Sequence, residues 1–185
     1  MAVVFASHRR DGTNGLIEKA IINANTVHDY DFIRMADNRI ESCIACYACA
    51  KTGECALPSN DRDQFREVFD RLKKADAILI ITPVYALIPS RLTALFERLT
   101  SVLYASGLMG KPENPLFGKK VAIVNYCSDG ICDETELKII FQKFVMSGYS
   151  FTEVKYHYLN NVLKPNEKYG DVCEYVRDIV VNLHE

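Results

Sequence analysis

Short apolar runs alternate with amphipathic segments along the chain. Residues 2–6 and 77–81 are apolar at every position, which is typical of strands buried on both faces of a parallel sheet. Residues 28–35, 120–126 and 151–158 predict three further strands. Elsewhere, apolar residues recur at helical spacing. The predicted inward-facing helix positions are Leu16, Ile17, Ala20, Ile21 and Ala24; Phe65, Val68, Phe69 and Leu72; Leu92, Leu95, Phe96, Leu99 and Leu103; Leu137, Ile140, Phe141 and Phe144; and Val172, Val176, Ile179, Val180 and Leu183.

These elements follow one another as a strand and then a helix, five times over. Such an order predicts an α/β fold in which a doubly wound parallel sheet carries helices on both faces. Five strands fit the flavodoxin-like strand order 2-1-3-4-5. We therefore expect a single domain over residues 1–185, with a cysteine-rich loop at residues 42–56 after the second strand. Asp61 and Gln64 predict a capping box at the start of the helix that follows this loop.

Composition and charge narrow the possible functions. The 185 residues are 49% apolar and 25% charged, as in an ordinary globular domain, and the formal net charge is −2. Because the basic residues are dispersed, a nucleic-acid-binding surface is not indicated. No apolar run approaches the roughly 20 residues of a membrane span, and the N-terminus lacks the order of a signal peptide. We therefore expect a cytoplasmic protein, in which cysteines serve more often as ligands or catalysts than in disulfides.

The loop after the first strand carries candidate anion-binding residues. A strand, a small polar loop and a helix N-terminus bring free N–H groups and the positive end of the helix dipole together. Ser7, Thr13 and Asn14 add polar side chains, and Arg9 adds a charged fork of donors. The alternative is a plain strand-to-helix turn with an asparagine cap.

Two further loops are predicted at the same end of the sheet. The loop at residues 82–89 is apolar and carries Tyr85, which suits a flat ring ligand. The alternative is that Tyr85 and Ile88 only cover the sheet edge. The loop after the fourth strand begins at Tyr126 and Cys127. In the predicted topology all three loops meet at the switch point, where α/β sheets bind ligands.

Four of the seven cysteines lie within thirteen residues. Cys43, Cys46, Cys49 and Cys55 form the spacing C-x2-C-x2-C-x5-C, and Gly53 allows a bend in the last gap. This spacing favours an iron–sulfur cluster, because cubane clusters use closely spaced cysteines. Free thiols in a polar loop are the second interpretation. Structural zinc is the third, since it usually needs two C-x2-C pairs and a longer spacer.

Three motifs in this order resemble iron–sulfur flavoproteins of the NADPH-dependent FMN reductase-like branch of the flavodoxin fold. The motifs are Ser7-x-Arg9…Gly12-Thr13-Asn14, the four-cysteine run, and Thr82-Pro83-Val84-Tyr85…Ser90-x-Leu92-x-Ala94-Leu95. The resemblance covers roughly the first two-thirds of the chain well and the remainder only in architecture. The chain departs from the family pattern at Ala6 and in the loop after Tyr126, where relatives usually have glycine.

The resemblance implies that FMN binds at the first, third and fourth strand loops and that the four cysteines ligate a [4Fe-4S] cluster. The implied FMN contacts are Ser7, Arg9, Thr13 and Asn14 at the phosphate, Pro83, Val84, Tyr85 and Ala86 at the isoalloxazine, and Tyr126 and Cys127 in the fourth-strand loop. No catalytic side chain is predicted, because the flavin carries out the chemistry. The resemblance also implies a homodimer or homotetramer.

We therefore predict an FMN-dependent oxidoreductase that passes electrons between a reduced donor, FMN and a 4Fe-4S cluster. NAD(P)H, a ferredoxin and a quinone are the expected donors or acceptors, and neither nucleic acid nor membrane is expected as a partner. One alternative is a cluster-free NAD(P)H-dependent FMN or quinone reductase. The other is a flavodoxin-like electron carrier or redox sensor. A net charge of −2 argues against a carrier, because such carriers are usually strongly acidic.

Overall fold

The computed structural model describes residues 1–23, 29–58, 60–84, 87–108, 115–127, 135, 139, 141, 153–159, 176 and 178–180. The strands are β1 (Ala2–Phe5), β2 (Asp31–Arg34), β3 (Ala77–Pro83), β4 (Lys120–Tyr126) and β5 (Glu153–Leu159). The helices are α1 (Thr13–Asn23), α2 (Cys49–Thr52), α3 (Phe65–Lys74) and α4 (Ser90–Leu108). The short helix α2, which lies inside the cysteine-rich loop, was not predicted.

The five strands form one parallel sheet in the order β2-β1-β3-β4-β5. In this register, Val4 of β1 lies between Ile33 of β2 and Ile80 of β3, and Ile80 is opposite Ile123 of β4. The predicted α/β architecture and strand order are confirmed. All seven residues of β3 are buried, as expected for the central strand of a parallel sheet.

Alternate strand residues belong to two separate apolar clusters, because successive side chains of a strand point to opposite faces. The first cluster joins alternate residues of β1 and β3, such as Val4 and Ile80, to buried residues of α3 and α4. The second joins the intervening residues, such as Phe5 and Leu79, to Ile17 of α1. One set of strand residues thus packs with α1, and the alternate set packs with α3 and α4.

The apolar stripe of α1 differs from the prediction. Ile17 and Ile21 are buried as expected, but Leu16 is 41% exposed, so its predicted inward position is wrong. The buried stripe runs through Asn14, Ile17 and Ile21, which are spaced i, i+3 and i+7. A polar residue therefore occupies the inward position in the first turn, and this asparagine belongs to the candidate site described below.

The predicted capping box at α3 is also wrong. The N-cap residue Gln64 makes no side-chain cap hydrogen bond, and its Nε2 donates instead to the carbonyl of Asp61 at 3.0 Å. The carboxylate of Asp63 takes over part of the cap, since its Oδ1 accepts the Phe65 N–H at 3.2 Å. Asp63 also pairs with Arg98 of α4, and this ion pair holds its carboxylate beside the start of α3.

The last part of the chain is described at few positions. Phe141 is helical and packs in the first cluster, and Val176, Ile179 and Val180 are helical and pack in the second. The other predicted residues of these two helices lie outside the described residues. Among the helices that the structure describes, none combines the length and the apolar character needed to cross a membrane.

Candidate functional site

The four clustered cysteines line one cavity of about 360 Å³ against α4. None of Cys43, Cys46, Cys49 and Cys55 is in a disulfide, and only Cys46 is fully exposed. The cavity is mainly apolar. Its remaining lining residues are Ile44, Ala45, Tyr47, Ala50, Ala56 and Leu57 from the loop and Arg98, Ser101, Val102 and Tyr104 from α4. The fold therefore gathers the predicted ligand set at a single place.

The backbone of the loop turns between successive cysteines. Ala45 has φ 50° and Tyr47 has φ 56°, in the left-handed region that non-glycine residues seldom adopt. Each such residue costs on the order of 1–3 kcal/mol, and such strain is concentrated at functional sites. In the last gap Gly53 has φ 76°, and its N–H donates to the Cys49 carbonyl at 2.8 Å. These turns bring four cysteines that are close in sequence around one cavity.

Arg98 connects this cavity to the protein core. It is 2% exposed, and its Nη1 donates to both carboxylate oxygens of Asp63, at 2.7 and 2.6 Å. Its guanidinium lies 4.1 Å from the centre of the Phe65 ring. Its Nη2 donates to the Cys55 Sγ at 3.1 Å. A buried charge needs a partner of opposite charge, so the Asp63 carboxylate holds in place a cation that also contacts a cysteine sulfur.

The other sulfur atoms have polar neighbours as well. The Cys43 Sγ lies 3.7 Å from the Ser101 Oγ, and the Ser101 hydroxyl also donates to the Glu97 carbonyl at 2.8 Å. Burial raises the pKa of the Cys49 thiol, and a thiolate at Cys43 raises that pKa further, followed by smaller effects of Cys46 and Cys55. The Cys49 sulfur is thus close enough to the other three for negative charge on them to disfavour its own thiolate.

Zinc and an iron–sulfur cluster place different demands on these thiols. Across the described residues, no group of three or more His, Cys, Asp or Glu side chains is positioned to hold a metal ion. Tetrahedral zinc needs all four sulfurs at about 2.3 Å from one centre. An iron–sulfur cluster is instead held around its periphery by separate thiolates. Four free thiols around a cavity, one of them already accepting a cationic N–H donor, fit that donor chemistry.

A second candidate site lies where β1 ends and α1 begins. Ser7 is buried, and its Oγ accepts the Arg9 N–H at 3.1 Å, while the Arg9 side chain is exposed. Gly12 has φ 107°, and its carbonyl accepts the Leu16 N–H at 3.1 Å. The N–H groups of the first turn of a helix have no partners within that helix, so the start of α1, beginning at Thr13, presents donors at the carboxyl edge of the sheet.

Asn14 supplies a side-chain donor at this edge. It is 4% exposed, and its Oδ1 accepts the Tyr126 hydroxyl at 2.7 Å. Its Nδ2 is buried and has no hydrogen-bond partner in the described part of the chain. A buried donor without an acceptor costs about 1–3 kcal/mol. Because the N-terminus of α1 also favours negative charge, this orphaned amide fits an anionic acceptor such as a phosphate.

The two fourth-strand residues that the resemblance implies as FMN contacts, Tyr126 and Cys127, are both buried. The Tyr126 ring packs in the cluster beside α1 and reaches Asn14 through its hydroxyl, so this residue orients the candidate phosphate donor. Cys127 is 2% exposed and packs in the opposite cluster, beside α3 and α4. It is a core thiol. Tyr126 therefore supports the first turn of α1, and Cys127 packs in the core; a contact of either residue with FMN stays a prediction.

The third-strand loop is described only at its start. Pro83 ends β3 opposite Tyr126, and the Val84 N–H donates to the Tyr126 carbonyl at 2.8 Å, which extends the pairing by one residue. Val84 is buried. Tyr85 and Ala86 lie outside the described residues. The loops after β1, β3 and β4 nevertheless leave the sheet at the same carboxyl edge, as predicted for a parallel sheet.

His8 links the β1–α1 loop to the start of α4. The Arg91 N–H lies 3.5 Å from the His8 Nε2, which acts as acceptor. Burial lowers the pKa of His8, and the charge of Arg91 lowers it further. The Arg91 side chain donates in turn to the carbonyls of Met35 and Ala36, the latter at 3.2 Å. The start of α4 thereby fixes both the β1–α1 loop and the chain that leaves β2.

A second arginine of α4 guides the same chain towards the cysteines. The Arg98 Nη1 donates to the carbonyl of Glu41 at 3.3 Å, and Cys43 follows two residues later. Arg91 and Arg98 are two turns apart on one face of α4 and are separated by about 10 Å along its axis. The cysteine cavity therefore lies about two helical turns from the carboxyl edge that carries the candidate phosphate site.

Several residues of these sites were not anticipated. Arg98 and Asp63 were missed, although an arginine between the apolar positions Leu95 and Leu99 is the kind of signal that marks a buried charge. Asn125 was also missed: it is 2% exposed near the end of β4, and neither amide atom has a partner within the described ranges. A polar residue in an apolar strand was the available signal there.

Comparison with known proteins agrees with this geometry. Residues 1–150 match the model of the NADPH-dependent FMN reductase family. An iron–sulfur flavoprotein of Methanocaldococcus jannaschii is 30% identical over 84 residues, which are 44% of this chain and 42% of that protein. An iron–sulfur flavoprotein of Archaeoglobus fulgidus is 36% identical over 58 residues, which are 31% of this chain and 26% of that protein. The matches thus span less than half of these relatives.

A solved structure with the same fold is an NAD(P)H:quinone oxidoreductase from Methanothermobacter marburgensis. Its TM-score is 0.66 at 17% sequence identity, and the alignment covers 100% of this chain and 96% of that chain. At this identity the likeness establishes the flavodoxin-like α/β fold. The family match covers most of the sequence, including every strand except β5 and both candidate sites. The chain therefore belongs to the NADPH-dependent FMN reductase family.

Proposed function

We propose that the protein is an FMN-dependent oxidoreductase that uses a 4Fe-4S cluster together with its flavin. The observation that carries this proposal beyond a plain reductase is the convergence of four free cysteines on one cavity. The family and the donors at the start of α1 support the flavin. Bound FMN takes up two electrons as a hydride and releases them singly, and a cluster accepts them one at a time.

The β1–α1 loop would hold the FMN phosphate. The Asn14 Nδ2 and the first N–H groups of α1, from Thr13 onwards, would donate to it, supported by the helix dipole. Ser7 shapes the loop through its bond to the Arg9 N–H. The exposed Arg9 side chain would add a charge-assisted contact from the solvent side.

The remaining flavin contacts are proposed from the topology and the family resemblance. Pro83 and Val84 stand at the carboxyl end of β3, next to Tyr126 of β4. Together with Tyr85 and Ala86 they would border the isoalloxazine ring. Tyr126 would contribute by orienting Asn14, and Cys127 is buried in the cluster beside α3 and α4. These residues bind and orient, and none is required to act as an acid or base.

Cys43, Cys46, Cys49 and Cys55 would ligate the cluster. The positive-φ turns and the cavity support this role, as does the Arg98 donor at Cys55. The names of the curated relatives point the same way. The electron donor is proposed to be NAD(P)H, as the family description implies, or a ferredoxin, and a quinone is the proposed acceptor.

The surface around the cysteines supports an oligomer. Ile44, Tyr47 and Tyr104 line the cavity and are 63%, 76% and 53% exposed. Grouped exposed apolar side chains mark interaction surfaces. Packing of this surface against a second copy would bury these side chains. We therefore propose a homodimer or homotetramer.

A cluster-free NAD(P)H-dependent FMN or quinone reductase is the second candidate function. The observation that favours it is that the described residues hold no ready-made metal-ion site. In that case the four cysteines are thiols of a surface loop.

Substitution of a single ligand separates the two candidates. Cys46→Ser in anaerobically produced protein should lower iron and sulfide content and leave FMN bound, because the proposed phosphate site is elsewhere. Cys127→Ser is the matched control and should leave the iron content unchanged. Equal iron content in the parent and in Cys46→Ser would rule out Cys46 as a ligand.

A further inference from the structure

We infer that Arg98 is a positioning residue that raises the reduction potential of the group bound by the four cysteines. The inference rests on the proposed function and goes beyond it, since it assigns a role to a residue that is not a ligand. It starts from the Nη2 of Arg98, which donates to the Cys55 Sγ at 3.1 Å.

One edge of the Arg98 guanidinium faces the cysteine site. Its planar fork presents Nε and Nη2 as neighbouring donors on one edge, and Nη1 lies beyond that edge. Nη1 is engaged by Asp63 and by the Glu41 carbonyl. The Nε is buried and has no partner within the described residues. The edge that touches Cys55 therefore carries a second donor suited to another sulfur acceptor at the same site.

Asp63 makes this edge a fixed feature of the site. Its carboxylate binds Nη1 through both oxygens, and the guanidinium also stacks on Phe65. Both charged side chains are at least nine-tenths buried. The pair is neutral as a whole, but its positive end faces the sulfur and its negative end faces away. The Cys55 sulfur thus experiences a preorganised dipole.

The expected effect on potential has a definite sign. Adding one electron makes the cysteine-bound group more negative, and an N–H donor with positive charge stabilises the more negative state. Hydrogen bonds to the sulfurs and nearby charge are among the factors that set iron–sulfur potentials. Arg98 should therefore raise the reduction potential, and Asp63, which offsets its charge, should lower it.

The test measures that potential in anaerobic, cluster-loaded protein by a titration monitored by electron paramagnetic resonance. Arg98→Gln alone leaves Asp63 buried and unpaired and is expected to unfold the chain in part. The informative variant is Arg98→Met combined with Asp63→Asn, which removes the donor edge and both charges and keeps the side-chain volumes similar. Its potential should be more negative than that of the parent. Asp63→Asn alone leaves the Arg98 charge unpaired but keeps an amide oxygen that accepts its hydrogen bond; the folded, cluster-loaded fraction of this variant should show a more positive potential.

A matched pair elsewhere controls for the loss of an arginine–aspartate bridge. Arg71 donates from Nε and Nη2 to Asp31, and neither residue lines the cysteine cavity. Arg71→Met with Asp31→Asn should leave the potential unchanged. Arg98→Lys keeps the charge and loses the planar fork, so its potential should lie between those of the parent and the double variant.

The outcomes separate the two claims. Full iron and sulfide content with an unchanged potential in the Arg98→Met and Asp63→Asn variant would overturn this inference and leave the proposed function intact. Equal shifts in that variant and in the Arg71 control would also overturn it. Absence of iron and sulfide from the parent protein would overturn both. Opposite shifts in the double variant and in Asp63→Asn would support the inference.

Discussion

At the scale of single residues, Asn14 is the most informative side chain of the proposed flavin site. It occupies an inward position in the first turn of α1, where an apolar residue would ordinarily continue the stripe of Ile17 and Ile21. The Tyr126 hydroxyl fixes its Oδ1 and leaves its Nδ2 without a partner in the described part of the structure. Such a residue weakens the core unless a ligand accepts its hydrogen bond.

Replacement of Asn14 should weaken FMN binding. A hydrogen bond to a charged group contributes about 1.5–3 kcal/mol, so Asn14→Ala should lower the affinity by roughly 10- to 100-fold. The measurement is a titration of apo-protein with FMN followed by flavin fluorescence. Asn38→Ala is the control, because the Asn38 Nδ2 already has an acceptor, the Arg34 carbonyl. An unchanged affinity in Asn14→Ala would remove Asn14 from the phosphate site.

The residue scale also marks a limit of sequence-based prediction. The four cysteines were recognisable as candidate ligands because they are close in sequence, so their spacing can be read without knowledge of the fold. Arg98 was not recognisable as part of their site, because it is 43 residues from Cys55 and only the packing of α4 against the loop brings the two together. Its partner Asp63 lies in a polar stretch beside the predicted capping box, where nothing local indicates that a carboxylate will be buried.

At the scale of elements, the β1–α1 loop depends on its glycine. Gly12 has φ 107°, and a Cβ added there would have no atom within 4 Å, so steric crowding is not the reason for glycine. The backbone conformation is the reason, since the left-handed region costs residues with a side chain about 1–2 kcal/mol. This conformation aims the start of α1 at the sheet edge.

Gly12→Ala should destabilise the protein by about 1 kcal/mol and weaken FMN binding as well. Gly118→Ala is a close match, because Gly118 has φ 77° and equally open surroundings, but it lies outside both candidate sites. In urea unfolding, Gly118→Ala should lose about as much free energy of unfolding as Gly12→Ala, but its FMN affinity should be that of the parent. Equal FMN affinities in both variants would show that the shape of the β1–α1 loop does not matter for the flavin.

The contact between His8 and the start of α4 should make stability depend on pH. The pKa of His8 is lowered in the folded protein from its usual 6.5, by burial first and then by Arg91. Near and below pH 6.5 the unfolded chain therefore binds more protons than the folded chain, and the free energy of unfolding falls as the pH falls. Above that range His8 is neutral in both states and has no effect.

This dependence is measured by urea unfolding at about pH 7.5 and about pH 5.5, values chosen on either side of the ordinary histidine pKa of about 6.5. The parent should lose more stability between the two conditions than His8→Gln, which cannot titrate at this position. An identical loss in both proteins would mean that His8 makes no contribution to the pH dependence.

The element scale was the most predictable. All-apolar runs identified β1 and β3, and helical spacing identified the buried faces of α3 and α4. This was possible because helix residues that pack on a sheet are apolar at a regular spacing. The short helix α2 shows no such apolar spacing, because none of its residues is buried. It is held by the turn at Gly53 and by contacts with α4. The inward position predicted for Leu16 was wrong for a related reason: the buried stripe of α1 begins with the polar residue Asn14.

At the scale of the whole molecule, the strand order places three loops at one edge of the sheet and the cysteine-rich loop along α4. The alternation of strands and helices predicted a parallel sheet, since parallel strands need crossover helices, and five such strands fit the flavodoxin-like order. The separation between the two candidate sites was not predictable, because it depends on the path of the chain after β2. That path is fixed by Arg91 and Arg98, which hold its carbonyls two turns apart on α4.

With both sites filled as proposed, one chain would hold FMN and a 4Fe-4S cluster. The most direct measurement is the content of FMN, iron and sulfide in anaerobically purified protein, combined with a reductive titration. We expect about four iron and four sulfide for each FMN, and uptake of about three electrons for each chain. Protein that contains FMN but neither iron nor sulfide, takes up about two electrons and has Cys43, Cys46, Cys49 and Cys55 all open to alkylation would contradict this proposal.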